Sequence, residues 1–268
     1  MKPPVDRGSL ALGAYVYAVL AFIIVPLVIV IPMSFSQNEY LAFPPSGFTL
    51  KWYSEYFDSR QWRAATWLSV QVALLTALFA SVIGTAATYA MIRGRSRLVT
   101  VFQILLIGPI IVPHIALAVG LYLFFQTIGL SGTIPGFVLA HTVLTLPFVV
   151  FTMAAALGKV DASLEAAAMS CGATRFQAFR LVTLPLVLPS LASSALFAFI
   201  ISFDEPVVSF FLSGVRQKTL PRRMFEDIEQ NLTPVIPAIA TLLIVLSILI
   251  LLGAHVLRSR SVNQQRTR

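Results

Sequence analysis

Charge and cysteine are what this chain has least of. Only 11% of its 268 residues are charged, against 57% hydrophobic, which excludes a soluble enzyme. The single Cys171 excludes an intrachain disulfide and any CxxC site, and it is expected to pack as a small apolar residue. Three isolated histidines (His114, His141, His255) give no metal-ligand spacing, so no metal site is expected. Lys and Arg nowhere cluster with aromatics on a soluble face, which argues against nucleic-acid binding. There is no Walker A sequence, GxSxG elbow or Gly-rich nucleotide loop, and no catalytic residue set. Any energy the chain uses must therefore come from a partner.

What it has instead is long apolar runs. Mean hydropathy is +0.86, and six segments are long enough to span a hydrocarbon core of about 30 Å. They fall at about 12–33, 64–92, 98–126, 134–157, 186–208 and 234–257. The first is too long, and too poor in small residues at its end, for a cleaved signal peptide. The expected architecture is an all-α membrane protein, a single transmembrane domain over 1–268 with a polar loop at 158–185.

Basic residues orient the chain. With a cytoplasmic N-terminus, that side receives Lys2, Arg7, the Arg93/Arg95/Arg97 turn, Lys159, Arg175, Arg180 and four C-terminal arginines, twelve of the 19 bases. Only Asp6, Asp161 and Glu165 accompany them there, and the other eight acids fall outside with seven bases. The positive-inside bias thus predicts both termini and the 158–185 loop in the cytoplasm. The outer side begins with a loop whose Trp52, Tyr53, Tyr56, Phe57 and Trp62 read as an interfacial aromatic shelf.

The most specific stretch is Asp161 to Pro189, a polar insert between the fourth and fifth apolar runs. Asp161 or Ser163 can cap a short helix reaching Gly172, and Thr174 with Gln177 has capping-box spacing for a second. Pro185 is expected to end or kink that second helix. The residues Glu165, Ala167, Ala168, Gly172, Val182, Leu184 and Pro185 resemble the EAA loop of ABC importer permeases. Counted back from Gly172 the family's Glu would fall at Ala166, so Glu165 sits one residue, about 100° of helix, out of register.

The resemblance extends over nearly all of residues 64–257 and is to the polyamine-type branch. In the third segment Gly108-Pro109 and Pro113-His114 predict a bend near mid-membrane, where protein or water must satisfy the freed carbonyls. Members of that branch often carry an acid where His114 stands. An intramembrane His is either functional or hydrogen-bonded to a neighbouring helix. His141 and Leu146-Pro147-Phe148 match the branch in the fourth segment, with His141 read as a structural hydrogen-bonding residue. The fifth ends in Ser202-Phe203-Asp204-Glu205, similar to the branch's Ser-Phe-Asp-Glu/Asp stretch. Asp204 would lie about 27 Å along that span, at its outer end. The two carboxylates are either a cation-attracting entrance or solvated residues at a helix end.

The resemblance implies a type I ABC importer permease in a bacterial inner membrane, with six transmembrane helices and a helix–turn–helix coupling loop between the fourth and fifth. It implies an ATP-binding subunit dimer docking on Glu165, Ala167, Ala168, Gly172, Leu184 and Pro185. A second, related permease chain, an extracytoplasmic solute-binding protein and surrounding lipid complete the assembly. ATP and Mg would be used by the ATPase and no cofactor would be bound by this chain. The implied cargo is a small amine-bearing solute (polyamine, 4-aminobutyrate, opine or similar), passing His114, Phe203, Asp204 and Glu205. The alternative is a secondary transporter or channel-like protein without an ATPase, which would not need the loop.

Overall fold

The computed structural model describes residues 7–94, 98–214 and 217–266. These divide into two compact units, one within Met1–Arg63 and Glu226–Arg268, the other Ala64–Phe225.

The first unit holds α1 (Arg7–Met33), α2 (Lys51–Asp58) and α12 (Val235–Arg266). In the apolar window of α1, Leu12–Met33, nothing is buried within the chain, and Phe22 is 82% exposed. Such a helix must be covered by lipid or another chain. The loop after α1 is anchored from within. Trp52 and Tyr56 are buried, and the Trp52 indole N–H donates to the Ser36 carbonyl at 2.7 Å. Of the expected aromatic shelf, Phe57 stays exposed while Trp52, Tyr56 and Trp62 are core residues. The Trp52 indole finds its partner in the loop, which sequence pattern alone could not show.

The second unit contains α3 (Arg60–Arg93, which starts in the first), α4 (Leu98–Ile111), α5 (His114–Thr127) and α6 (Ile134–Leu157). Then come α7 (Ala162–Ser170), α8 (Arg175–Ala178), a π turn (Phe179–Thr183), α9 (Leu184–Phe203), α10 (Val207–Leu212) and α11 (Leu220–Gln230, which crosses back). Helix α6 is its axis: Phe137, Ala140, Val149, Met153 and Leu157 are all fully buried. One core cluster joins Phe137 and Leu144 to Val72, Phe125, Val208 and Leu212. Another joins Val149, Met153 and Leu157 to Ala77, Ala80, Val187 and Ala198. At Gly84 a Cβ would stand 2.6 Å from Val149 Cγ1, so α3 and α6 can approach this closely only through a glycine.

Four of the expected spans are single helices long and apolar enough to cross a membrane: Leu12–Met33, Arg60–Arg93, Ile134–Leu157 and Arg175–Phe203. The third is sharper than a bend, with Ile104–Ile111 and His114–Thr127 meeting at 112°. Pro113 has no N–H to continue the ladder and excludes Val112 from the helical region. In the sixth, the described apolar part is Val235–Leu249, within a helix that runs to Arg266.

The fifth departs from expectation at both ends. Pro185 does not end the helix entering it. The chain runs from Arg175 through the π turn into α9, and the Leu184 N–H donates five residues back to Phe179. This wide turn precedes the proline and accommodates its missing donor. At the far end α9 stops at Phe203, not 208, with Asp204 as its C-cap and Pro206 beginning α10.

Candidate coupling and translocation sites

The 158–185 loop is a preorganised knob. Asp161 caps α7 by accepting the Ser163 N–H at 2.8 Å, and the backbone and side-chain hydrogen bonds of Ser163 hold its carboxyl below the usual aspartate value. Gly172 closes α7 with φ +91°, a left-handed conformation in which Gly172 and Ala173 donate to Met169 and Ala168. Thr174 and Gln177 form the full capping box of α8. Ala167, Gly172 and Pro185 are exposed, and Ala168 and Leu184 half-buried. Phe176 and Leu181, each about 70% exposed, add large apolar side chains to this surface. Cys171, the C-cap of α7, is exposed as well, not packed as expected, since it stands past the last helical residue.

Glu165 points the other way. It is 6% exposed. Its Oε1 accepts from Thr183 Oγ1 at 2.5 Å and lies 3.4 Å from Arg93 Nε, while Oε2 accepts from the Tyr89 hydroxyl at 2.9 Å. Burial pushes its carboxyl up, but the Thr183 and Tyr89 hydrogen bonds and the Arg93 charge outweigh this and leave it below the ordinary 4.5. These contacts are therefore complete above pH 4.5 and are lost only as pH falls through the lowered value. Tyr89, Arg93 and Thr183 are missing from the sequence-derived set. Tyr89 and Arg93 stand one turn apart on one helix face, a spacing that could have marked them as a pair.

At the opposite end, the structure brings His114 and Glu205 together. His114 Nε2 lies 3.2 Å from Glu205 Oε2, and Glu205 Oε1 accepts the Val207 and Val208 N–H groups at 2.8 and 2.9 Å. Glu205 is buried, whereas Asp204 is exposed. Phe203 is half-buried and stacks on Phe199 with ring centroids 5.8 Å apart. The same corner is tied to α6 by His141, whose Nδ1 meets Ser202 Oγ at 2.8 Å and Nε2 meets Ser209 Oγ at 3.3 Å. Among the described residues no three His, Cys, Asp or Glu side chains converge to hold a metal. The arrangement leaves one carboxylate, Asp204, in water and holds its neighbour, Glu205, between the His114 ring and the first amides of α10.

Comparison with known proteins agrees with this geometry. Residues 80–262 match the family described as binding-protein-dependent transport system inner membrane component. The chain is 33% identical over 236 residues to the spermidine/putrescine transport system permease protein PotC of Haemophilus influenzae, covering 88% of this chain and 91% of that one. It is 30% identical over 230 residues to the putrescine transport system permease protein PotI of Escherichia coli K12, covering 83% and 82%. Among solved structures it resembles a chain in the crystal structure of a bacterial ABC transporter involved in the import of the acidic polysaccharide alginate. That match has a TM-score of 0.70 at 14% identity and covers 94% of this chain and 98% of the other, a likeness of fold.

Proposed function

The chain belongs to the binding-protein-dependent transport system inner membrane components, and we propose that it carries a small amine-bearing solute inward. It is a non-catalytic permease subunit of an ABC importer, which sets aside the secondary-transporter alternative. The family works with an ATPase and a solute-binding protein. In our reading the ATPase is a dimer that docks on the exposed surface of α7 and α8, and a second, related permease chain completes the path. The ATPase uses ATP and Mg, and this chain binds neither. Both termini and the knob lie in the cytoplasm, as the distribution of basic residues indicates.

One observation carries this reading: a capped, rigid knob bearing exposed Phe176 and Leu181 is covalently continuous with α6 and α9. Closure of the ATPases on ATP would push the knob, tilt those two helices and open the path outward. Hydrolysis would reverse the bias, a two-state exchange driven by differential affinity. At the outer mouth the exposed carboxylate of Asp204 is placed to attract an ammonium group, since low-dielectric walls weaken screening there. The solute is a polyamine, 4-aminobutyrate, an opine or a similar amine, in line with the cargo named for PotC and PotI.

The test is co-purification of an ATPase with the tagged permease, with uptake measured when that ATPase is made hydrolysis-dead. Uptake that persists would overturn the ATP-coupled reading. A cognate binding protein that retains only solutes without an amine would overturn the cargo.

A further inference from the structure

We propose that Glu165 is a pin fastening the coupling knob to the end of α3, so that displacement of the knob reaches α3 as well as α6 and α9. The proposal rests on the knob being where the ATPase pushes. Helices α6 and α9 receive that push through the chain itself, because the knob lies between them. Helix α3 is not continuous with the knob, and its last turn grips it through side chains.

Arg93 spans the start of the knob, its guanidinium donating to the Val160 carbonyl at 2.9 Å and meeting Glu165 Oε1 at 3.4 Å. Tyr89, one turn earlier on the same face, donates to Glu165 Oε2 at 2.9 Å. Its ring also packs edge-on against Phe179, the first residue of the π turn, with centroids 4.7 Å apart. Thr183, the last residue of that turn and fully buried, donates to Glu165 Oε1. One carboxylate on α7 thus joins α3, α7 and the entry to α9.

A carboxylate serving as a docking contact would stand in water on the outer face of α7, beside Ala167. Glu165 instead faces inward and is 6% exposed, with its oxygens already occupied. The one-residue shift from the family register accounts for this, since about 100° of rotation separates an outward from an inward side chain. The extra residue of the π turn re-aims Thr183 toward the same point, as such turns do near functional sites. Because α3 meets α6 at the Gly84–Val149 contact, a pinned α3 would move with the helix it packs on. A merely stabilising buried ion pair would give the same contacts but would leave the stoichiometry of transport alone.

The experiment uses the full importer in proteoliposomes, with permease pair, ATPase and binding protein. It measures solute imported per ATP hydrolysed and ATPase retained on the tagged permease. The variants are Glu165→Ala, Arg93→Ala, their double, Glu165→Gln and Tyr89→Phe. We expect ATPase to be retained throughout and solute per ATP to fall about fivefold or more in each alanine variant. The double should be no worse than the worse single, and Glu165→Gln, which keeps acceptors for Tyr89 and Thr183, should recover part of the loss. Should Glu165→Ala fail to fold, Arg93→Ala and Tyr89→Phe carry the same test. Stoichiometry within about twofold of wild type in all of them, or effects of the two alanines that multiply, would overturn the pin. So would loss of the ATPase in Glu165→Ala but not Arg93→Ala, which would make Glu165 a direct docking residue. Cross-linking of native Cys171 to the ATPase reports the docking reading separately. A cross-link with unchanged stoichiometry in the variants overturns the pin alone, and no cross-link in the wild type overturns both.

Discussion

Nε2 of His114 lies 3.2 Å from Oε2 of Glu205, binding the first residue of α5 to the corner between α9 and α10. The other Glu205 oxygen caps α10. Adjacent carboxylates therefore have separate tasks: Glu205 is held inside the protein, and Asp204 is left to water. Since α5 starts where the broken span resumes, the pair ties the start of the resumed helix to that corner.

For His114 we expect His114→Ala to destabilise the protein by about 1–3 kcal/mol, toward the lower end because its side chain is 48% exposed and water can reach Glu205 in its place. His114→Asp should cost more, since a second carboxylate would face a buried one. Thermal unfolding of the detergent-solubilised permease measures both. A His114→Asp variant as stable as wild type would mean that the pair does not form.

The two acids should separate by assay. Glu205→Ala removes the cap of α10 and should cost about 0.5–2 kcal/mol of stability. Asp204→Asn should leave stability within about 0.5 kcal/mol, as for a solvated surface residue, yet reduce uptake of an amine by about five- to 150-fold if it holds an ammonium for about 1–3 kcal/mol. Transport kinetics at matched expression decide this. Near-wild-type uptake in Asp204→Asn would remove it from the solute path.

The local parts of this structure were legible in the residues. Asp161, Gly172, Thr174 and Gln177 act within one turn of themselves, so spacing suffices to find the knob and its caps. The partners of Glu165 were hidden because Tyr89 and Arg93 lie more than seventy positions away in sequence, and nothing local connects them. Asp204 and Glu205 looked alike because neighbouring side chains at a helix end diverge, and only the position of His114 tells which one turns inward. Pro185 was read by its usual breaking effect, which the π turn before it absorbs. Pro113 was read correctly as an interruption, but the 112° angle is set by packing of α5 on α10 and α6, beyond the reach of a local rule.

His141 should prove structural. Replacing it with Leu keeps much of the volume but strands the hydroxyls of Ser202 and Ser209, both at most 4% exposed. A loss of about 1–3 kcal/mol follows for buried polar groups left unpaired. Ser202→Ala should cost less, and Ser209→Ala least, because its contact is the longer at 3.3 Å. The ranking is read from thermal midpoints, and equal effects for the two serines would contradict it.

At Gly172 the left-handed φ of +91° penalises any Cβ, although the surrounding space is empty. Gly172→Ala should therefore destabilise the knob by about 1–2 kcal/mol and Gly172→Asn by less. Gly172→Pro cannot reach this φ at all and should uncouple hydrolysis from import while the permease still inserts. Solute per ATP in proteoliposomes measures the effect, and full coupling in the proline variant would show that the turn is dispensable.

Orientation can be tested with the native thiol. Twelve of the 19 basic residues fall on the side assigned to the cytoplasm, together with the knob, and Cys171 is free and exposed on that knob. A membrane-impermeant maleimide should therefore leave Cys171 untouched in intact spheroplasts and label it in inside-out vesicles stripped of ATPase. A Ser46→Cys probe in a Cys171→Ser background should behave in the opposite way, since Ser46 is exposed in the loop assigned to the outside. Pairing the two probes matters because a lone negative could reflect shielding by a docked subunit. With both, shielding would silence Cys171 in every preparation, whereas an inverted topology would exchange the two patterns. Labelling of Cys171 from outside intact spheroplasts would put the knob where no ATPase can reach it and would overturn the coupling mechanism along with the orientation.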